Sequence, residues 1–256
     1  MTVNHIFNLK SVDPSWRYSI LEGLEKVDPL YLNQLSHHKD WLPGPEKIFN
    51  AFSLPVNQIN YVLFGESPYP RKDSANGYAF WDEAVTNLWS PSGLSKPVNR
   101  ATSLRNIMKM LFVAEGILTP KDTGQEAIAK IDKRHLVQTN HEFFTHLLQK
   151  GFLLLNASPI LQSSPVQKDA RAWQPFLQHI LEFLCQQRPN VELILLGRIA
   201  NDIDKLIDHF EIKKLYAEHP YNISFITNQT VLNFFKPLHL LVSTVASSIR
   251  DKSPSS

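Results

Sequence analysis

Four short apolar runs, each of strand length and each followed by polar or turn-forming residues, constrain the fold of this chain most strongly. They lie at residues 61–64, 152–155, 192–196 and 214–217. Stretches with helical spacing lie between and beyond them, at residues 103–114, 140–150, 173–187 and 199–210. Strands that alternate with helices indicate a parallel sheet. We therefore predict an α/β fold, with a central four-stranded parallel sheet flanked by helices.

The length of the chain, 256 residues, fits one large α/β domain. We predict a single domain over residues 1–250, with a helical N-terminal part at residues 1–54 and a disordered tail at residues 251–256. No run approaches the ~20 apolar residues that a membrane span requires. The first ten residues also lack the basic and apolar regions of a secretory signal. We expect an intracellular monomer, cytoplasmic if the source is bacterial, with no membrane partner.

The single cysteine, Cys185, lies among apolar residues of a helical segment. One cysteine cannot form an internal disulfide or a multi-cysteine metal site. We predict that Cys185 packs in the interior, and we expect neither a metal nor another cofactor.

The net charge is +2 and the isoelectric point is near 8.5, which is mild for a nucleic-acid-binding protein. Any DNA-binding surface must therefore be local. Its candidate cations are Lys96, Arg100, Arg105, Lys109, Lys168, Arg171 and Arg198. The alternative is that these side chains belong to ordinary solvated helix faces.

Ligands of open α/β sheets bind at the carboxyl ends of the strands. In this chain the segments that follow the predicted strands are residues 65–70, 156–159, 197–198 and 218–222. They contribute an asparagine, a histidine and two tyrosines. Such a convergent set predicts a polar pocket at that edge of the sheet.

The same segments resemble motifs of the family-1 uracil-DNA glycosylases. Gly65-Glu66-Ser67-Pro68-Tyr69-Pro70 is similar to Gly-Gln-Asp-Pro-Tyr-His of the family, and His219-Pro220-Tyr221-Asn222-Ile223-Ser224 to His-Pro-Ser-Pro-Leu-Ser. The other matches, in the family's order, are Ala75-Asn76-Gly77-Tyr78-Ala79-Phe80, Ser103-Leu104-Arg105-Asn106-Ile107, Leu153-Leu154-Leu155-Asn156 and Leu195-Leu196-Gly197. The resemblance implies the uracil-DNA glycosylase fold and hydrolysis of the N-glycosidic bond of a flipped uracil in DNA.

The resemblance also implies roles in holding the base. The implied base-binding residues are Gly65, Glu66, Tyr69, Phe80 and Asn156. Phe80 would stack on the base, Tyr69 would exclude the 5-methyl group of thymine, and the Asn156 amide would pair with the polar edge of uracil. The alternatives are a core phenylalanine, a tyrosine packed in a turn, and an asparagine that ends a strand.

The implied catalytic residues are His219, Asn156 and Ser67, of which His219 would stabilise the charge that develops on the departing uracil. A structural histidine is the alternative. The implied DNA-binding residues are Ser103, Lys168, Gly197, Arg198, Pro220, Ile223 and Ser224. Ile223 matches the leucine that enters the duplex as the base leaves, although its β-branched side chain is stiffer.

The first motif departs from the family at the residue that carries the most chemistry. Ser67 replaces the aspartate that positions water, so general-base catalysis, typically worth ~10² to 10⁴ in rate, is weakened. Pro70 replaces the neighbouring histidine, residues 100–102 replace prolines, and Arg198 replaces a serine. Gly65-Glu66-Ser67-Pro68 is also similar to Gly-Glu-Ala-Pro of the family-4 branch, which has no acid at that place.

We therefore expect a slow or specialised DNA glycosylase, in which Asp73 or Glu66 could substitute for the missing carboxylate. The main alternative is a catalytically inactive protein of the same fold that grips a base without cutting it. A further alternative is an interaction scaffold with a vestigial pocket, but such a protein has no physical need to keep Phe80, Asn156 and His219 together.

Overall fold

The computed structural model describes residues 6–38, 40–162 and 165–243. The tail predicted at residues 251–256 lies outside these ranges. The chain divides into two units, one made of Met1–Ala84 and Leu148–Tyr216, the other of Val85–Leu147 and Ala217–Ser256. The single domain over residues 1–250 stays a prediction.

The strands are β1 (Tyr61–Gly65), β2 (Trp89–Ser90), β3 (Gly93–Leu94), β4 (Phe152–Asn156), β5 (Glu192–Leu196) and β6 (Lys213–Ala217). The central sheet has the order β4-β1-β5-β6, and β1 pairs in parallel with both β4 and β5. In this sheet, β1, β4 and β5 are almost wholly buried, as their continuous apolar sequences predict. The predicted four-stranded parallel sheet is confirmed, with each strand within one residue of its expected bounds.

The helices are α1 (Pro14–Glu25), α2 (Pro29–His37), α3 (Lys96–Arg100), α4 (Thr102–Ala114), α5 (Gln125–Ala129), α6 (Asn140–Gln149), α7 (Val166–Gln187), α8 (Ile199–Leu206) and α9 (Gln229–Phe235). Short 3₁₀ helices lie at Asn50–Ser53, Val56–Gln58, Ile223–Thr227 and Lys236–Leu238. Helix α7 begins seven residues before the predicted start, because its first turns are polar and only the residues from Trp173 onward are mainly apolar. Helix α8 ends four residues early, where Ile207 leaves helical geometry.

Helices α1 and α2 lie within residues 1–54, where a helical N-terminal part is predicted, and both begin at an Asp-Pro pair. Asp13 accepts a hydrogen bond from the Ser15 backbone, and Asp28 accepts one from the Leu30 backbone, each at 2.9 Å. These bonds satisfy free N–H groups of the first turn, and proline suits the first helical position. The capped helices bury aromatic residues in the core of the first unit.

That core is rich in edge-to-face aromatic contacts, which join the N-terminal part to α7. Its largest buried side chains include Phe7, Trp16, Phe49, Phe52, Trp173 and Phe176. Cys185 lies in α7 and is 3% exposed, and burial raises the pKa of its thiol to about 11. The prediction that this cysteine packs in the interior is confirmed.

In the second unit, α4 packs against the 3₁₀ helix Ile223–Thr227 and against α9. The two-residue strands β2 and β3 form an antiparallel hairpin that contacts α5. None of the helices in the described part of the chain is long and apolar enough to cross a membrane.

Candidate active site

The ends of β1 and β4 meet at Gly65 and Asn156, which are directly opposite in the sheet register. The Asn156 side chain lies over Gly65, so that a Cβ there would collide with Asn156 Oδ1 and come within 2.9 Å of the Ala79 Cβ. The two outgoing loops are tied together, since Ala157 N donates to Gly65 O at 2.8 Å and Ser158 N donates to the residue 66 carbonyl at 3.0 Å. Glycine is therefore required here by close approach.

The Asn156 side chain is buried, with 5% of the residue exposed. No hydrogen bond among the described residues involves its amide. Its donor and its acceptor are therefore available to a ligand at the carboxyl edge of the sheet.

Phe80 adopts a left-handed backbone conformation, with φ of 62°. Non-glycine residues in this region cost about 1 to 3 kcal/mol, and they concentrate at functional sites. The conformation is held from two sides, because Tyr69 Oη donates to Phe80 O at 3.1 Å and Ala79 N donates to Leu154 O at 3.0 Å. Phe80, Tyr69 and the end of β4 are thus fixed relative to one another.

An ion pair closes the loop that carries these two aromatic residues. Arg71 Nη2 lies 3.0 Å from Asp82 Oδ2, and the Asp82 side chain is only 3% exposed. Asp82 Oδ1 also accepts from Ala84 N at 3.0 Å. Burial, with the negative charge of Asp82, raises the pKa of Tyr69, so its hydroxyl stays a proton donor. The sequence analysis missed this pair, because two charges in an irregular loop form no periodic pattern.

Ser67 is partly buried beside this loop, and no hydrogen bond among the described residues involves its hydroxyl. The two acids considered as substitutes, Glu66 and Asp73, are both exposed. Neither makes a described side-chain hydrogen bond. The position where the resemblance implies a carboxylate therefore carries a neutral hydroxyl.

A groove of about 430 Å³ lies beside Glu66 and Ala157, between the start of α7 and α8. Its charged lining residues have both signs: Arg171 and Lys205 are cationic, and Glu66 and Asp202 are acidic. A groove of mixed charge does not by itself indicate phosphate binding.

In the second unit, the loop after β6 holds His219 in a defined protonation pattern. Tyr221 N donates to His219 Nδ1 at 3.1 Å. Because Nδ1 accepts a hydrogen bond, the proton of the neutral ring lies on Nε2. His219 is thus arranged as a hydrogen-bond donor through Nε2.

The same loop is anchored by Asn106, which is 3% exposed in the middle of α4. Asn106 Nδ2 donates to the carbonyl of Pro220 at 2.7 Å and lies within 3.3 and 3.4 Å of the carbonyls of Tyr221 and Asn222. The sequence analysis gave Asn106 no role. Asparagine is a poor helix former, and its presence inside a largely apolar helix was the signal that could have drawn attention to it.

The residues predicted to bind DNA differ in exposure. Ile223 is 81% exposed and Tyr221 is 68% exposed, whereas Pro220 is buried. Lys168, Arg198 and Ser224 are exposed, and Ser103 and Gly197 are partly exposed. Tyr221 was expected to contribute to a polar pocket, but its ring lies in solvent.

Glu218 stands at the start of this loop, and its Oε2 accepts from Asn228 Nδ2 at 2.6 Å. Partial burial raises the pKa of Glu218, but hydrogen bonds from Ser224 and Asn228 outweigh burial and lower it. The carboxylate is therefore charged at neutral pH and joins the loop to the start of α9.

Known proteins resemble this chain over most of its length, although no protein-family model matches the sequence. The uracil-DNA glycosylase of Acinetobacter baylyi is 28% identical over 216 residues, which cover 82% of this chain and 78% of the relative. The crystal structure of the wild-type UNG from Nitratifractor salsuginis is 39% identical, covers 92% of this chain and 94% of its own, and superposes with a TM-score of 0.86.

The chain belongs to the uracil-DNA glycosylase superfamily. A mutant form of the same Nitratifractor salsuginis protein gives a TM-score of 0.88 at 38% identity and covers 94% of this chain and 98% of its own. The mimivirus uracil-DNA glycosylase, at 19% identity and a TM-score of 0.58 over 85% of this chain and 72% of its own, shares the fold. The predicted uracil-DNA glycosylase fold and the family resemblance are confirmed, while the roles of individual site residues stay predictions.

Proposed function

We propose that this chain hydrolyses the N-glycosidic bond of uracil, or a closely related base, extruded from DNA. The observation that carries the proposal is the Asn156 amide, which is buried at the carboxyl edge of the sheet without a described partner. An amide offers one acceptor and one donor group, which match the N3–H and O4 edge of uracil. Cytosine presents a different pattern there, so the same amide discriminates between the two bases.

Phe80 and Tyr69 complete this selection of the base. Phe80 is proposed to stack on the base, and such stacking is worth ~1 to 3 kcal/mol per base. Tyr69, held by its bond to the Phe80 carbonyl, stands against the 5 position of the base and excludes the methyl group of thymine. Gly65 leaves the space that Asn156 needs, and Glu66 belongs to the same loop.

His219 is proposed to act on the leaving group. Breaking the glycosidic bond leaves negative charge on the uracil, and a preorganised donor aimed at that charge is worth ~3 to 4 kcal/mol. The hydrogen bond from Tyr221 N to His219 Nδ1 supports this role, because it places the proton of a neutral imidazole ring on Nε2.

Ser67 is the reason to expect slow hydrolysis. Its hydroxyl can hold a water molecule, but it brings no negative charge to activate that water or to face the cationic sugar. The loss of a general base corresponds to ~10² to 10⁴ in rate. The proposed enzyme therefore depends mainly on base binding and leaving-group stabilisation.

Contacts with DNA are assigned to the residues that the family resemblance implies, although Pro220 is buried and can contribute only through its place in the loop. Ile223 enters the duplex as an apolar wedge and offsets part of the unstacking cost. The phosphate and backbone contacts are assigned to Ser103, Lys168, Gly197, Arg198, Pro220 and Ser224. The protein is proposed to act as a monomer without metal or cofactor, inside the cell where genomic DNA is kept.

One observation favours a second candidate function, a base-binding protein that does not cut. Ser67 removes charge from the water position, while Asn156, Phe80 and Tyr69 keep the geometry of a base grip. Such a protein would bind uracil-containing DNA and release no base.

A glycosylase assay separates the two functions. The wild type is incubated in excess with single- and double-stranded oligonucleotides that contain one uracil, and alkali then reveals abasic sites. We expect slow cleavage at uracil only, and a loss of cleavage in Asn156→Ala. Asn201→Ala, which changes an exposed asparagine of α8, serves as the matched control. Binding without abasic sites, even at long times, would identify the non-cutting protein.

A further inference from the structure

Tyr221 combines a fixed backbone with an exposed ring. Its N–H donates to His219 Nδ1 at 3.1 Å, and its carbonyl lies 3.3 Å from the Asn106 amide nitrogen. Its neighbours are held as well, because Asn106 also contacts the carbonyls of Pro220 and Asn222. The polypeptide is therefore pinned on both sides of a residue whose side chain is 68% exposed.

Within the described part of the chain, no described contact gives the Tyr221 ring a role in stabilising the fold. No described hydrogen bond or ring contact involves the Tyr221 side chain. Ile223, two residues later, is 81% exposed. Two large apolar side chains thus project into solvent from one loop whose backbone is bonded to α4. Scattered exposed apolar residues need no explanation, but an adjacent pair on a fixed loop is typical of an interaction site.

We propose that Tyr221 is a second DNA-contacting side chain, which stacks on the nucleobase next to the extruded nucleotide while Ile223 fills the gap that the nucleotide leaves. The proposal rests on the proposed function only in that the loop faces DNA. The resemblance has a serine at this place, so the contact would be particular to this chain. An aromatic ring tolerates any base, because every base has a π face.

The surroundings of the loop favour a nucleic acid over an apolar protein partner. Helix α4, which packs against Ile223–Thr227, carries Arg105 and Lys109 one turn apart. Burial, together with the positive charge of Arg105, lowers the pKa of Lys109. The repulsion between two like charges one turn apart is reduced when an anion such as a DNA phosphate binds beside them. An exposed aromatic ring next to a segment that packs on a cation-bearing helix suits single-stranded nucleic acid, which is bound by base stacking together with positive charge.

The test compares the DNA affinity of Tyr221→Ala, Tyr221→Phe and the wild type. The probe is an oligonucleotide with a tetrahydrofuran abasic analogue flanked by 2-aminopurine, whose fluorescence reports stacking. Tyr221→Ala should weaken binding by about 5- to 100-fold, the range that stacking by one aromatic ring predicts. Tyr221→Phe should bind within about twofold of the wild type, since it keeps the ring. The matched control is Tyr18→Ala, which removes a tyrosine of α1 that is 73% exposed.

Each outcome bears on the proposal. An unchanged affinity and unchanged 2-aminopurine fluorescence in Tyr221→Ala, in a variant that melts at the wild-type temperature, would overturn it. A loss in Tyr221→Phe as large as in Tyr221→Ala would also overturn it, because the hydroxyl and not the ring would make the contact. If the wild type binds the probe through Tyr221 but releases no uracil from a uracil-containing oligonucleotide, the stacking proposal stands and the proposed hydrolytic function fails. If it excises uracil and Tyr221→Ala is neutral, only the stacking fails.

Discussion

The segment proposed to hold the base and the position proposed to activate water are built very differently. Around Asn156, backbone hydrogen bonds join β1, β4 and the Phe80 turn, and Tyr69 bonds to the Phe80 carbonyl. At Ser67, within the described part of the chain, the side chain carries neither a charge nor a hydrogen bond. Under the proposed function, recognition of the base and hydrolysis of its bond depend on separate residues, so that one can be kept while the other is weakened.

The largest expected effect comes from His219→Ala. If leaving-group stabilisation carries most of the remaining catalysis, this change should lower the single-turnover rate on uracil by ~10² to 10³. The loss should be smaller on 5-fluorouracil, because its anion is more stable and needs the donor less. His135→Ala, which removes an exposed histidine of the second unit, should leave the single-turnover rate unchanged. Equal losses on both bases would argue against a role at the leaving group.

A smaller effect is expected from Tyr69→Ala, which tests whether the Tyr69 ring excludes thymine. Removing the ring should raise thymine excision relative to uracil by roughly 10- to 200-fold, the range for one methyl group in a pocket. Tyr69→Phe keeps the ring and loses only the hydrogen bond to the Phe80 carbonyl, so this variant should still prefer uracil over thymine. The ratio of single-turnover rates on the two bases measures the effect, and an unchanged ratio in Tyr69→Ala would contradict the steric role.

The smallest effect is expected from Asn106→Asp. A carboxylate cannot donate to the three carbonyls of residues 220–222 and repels them, so His219 should lose its orientation and the rate should fall about tenfold. In a His219→Ala background the same change should have little further effect, because residues that act as a unit are not additive. Asn233→Asp, an exposed asparagine of α9, is the control. Fully additive losses would mean that Asn106 acts on stability alone.

The sequence predicts the sheet well, because each buried strand is a continuous apolar run with a turn at its end. It predicts the ends of α7 and α8 poorly, since polar first turns and a frayed last turn carry no apolar periodicity. The hairpin of β2 and β3 has two residues in each strand, too few for any pattern to show.

The candidate site shows the same contrast between features that the sequence predicts and features that it does not. Asn156 ends β4, and His219 follows β6 by two residues, so the predicted strands alone lead us to expect both in a site. The left-handed backbone of Phe80, the ion pair of Arg71 with the buried Asp82, and the triple contact of Asn106 depend on tertiary structure. No local sequence signal specifies those contacts, although the motif match drew attention to Phe80.

The most direct test of the central claim is the single-turnover rate of Ser67→Asp against the wild type, on one uracil-containing oligonucleotide and with DNA affinity measured in parallel. Restoring the carboxylate should raise the rate by up to ~10²-fold and leave the affinity unchanged, because the residues proposed to grip the base are intact. An unchanged rate with intact affinity would contradict the claim, since Ser67 would then not stand at the water-activating position.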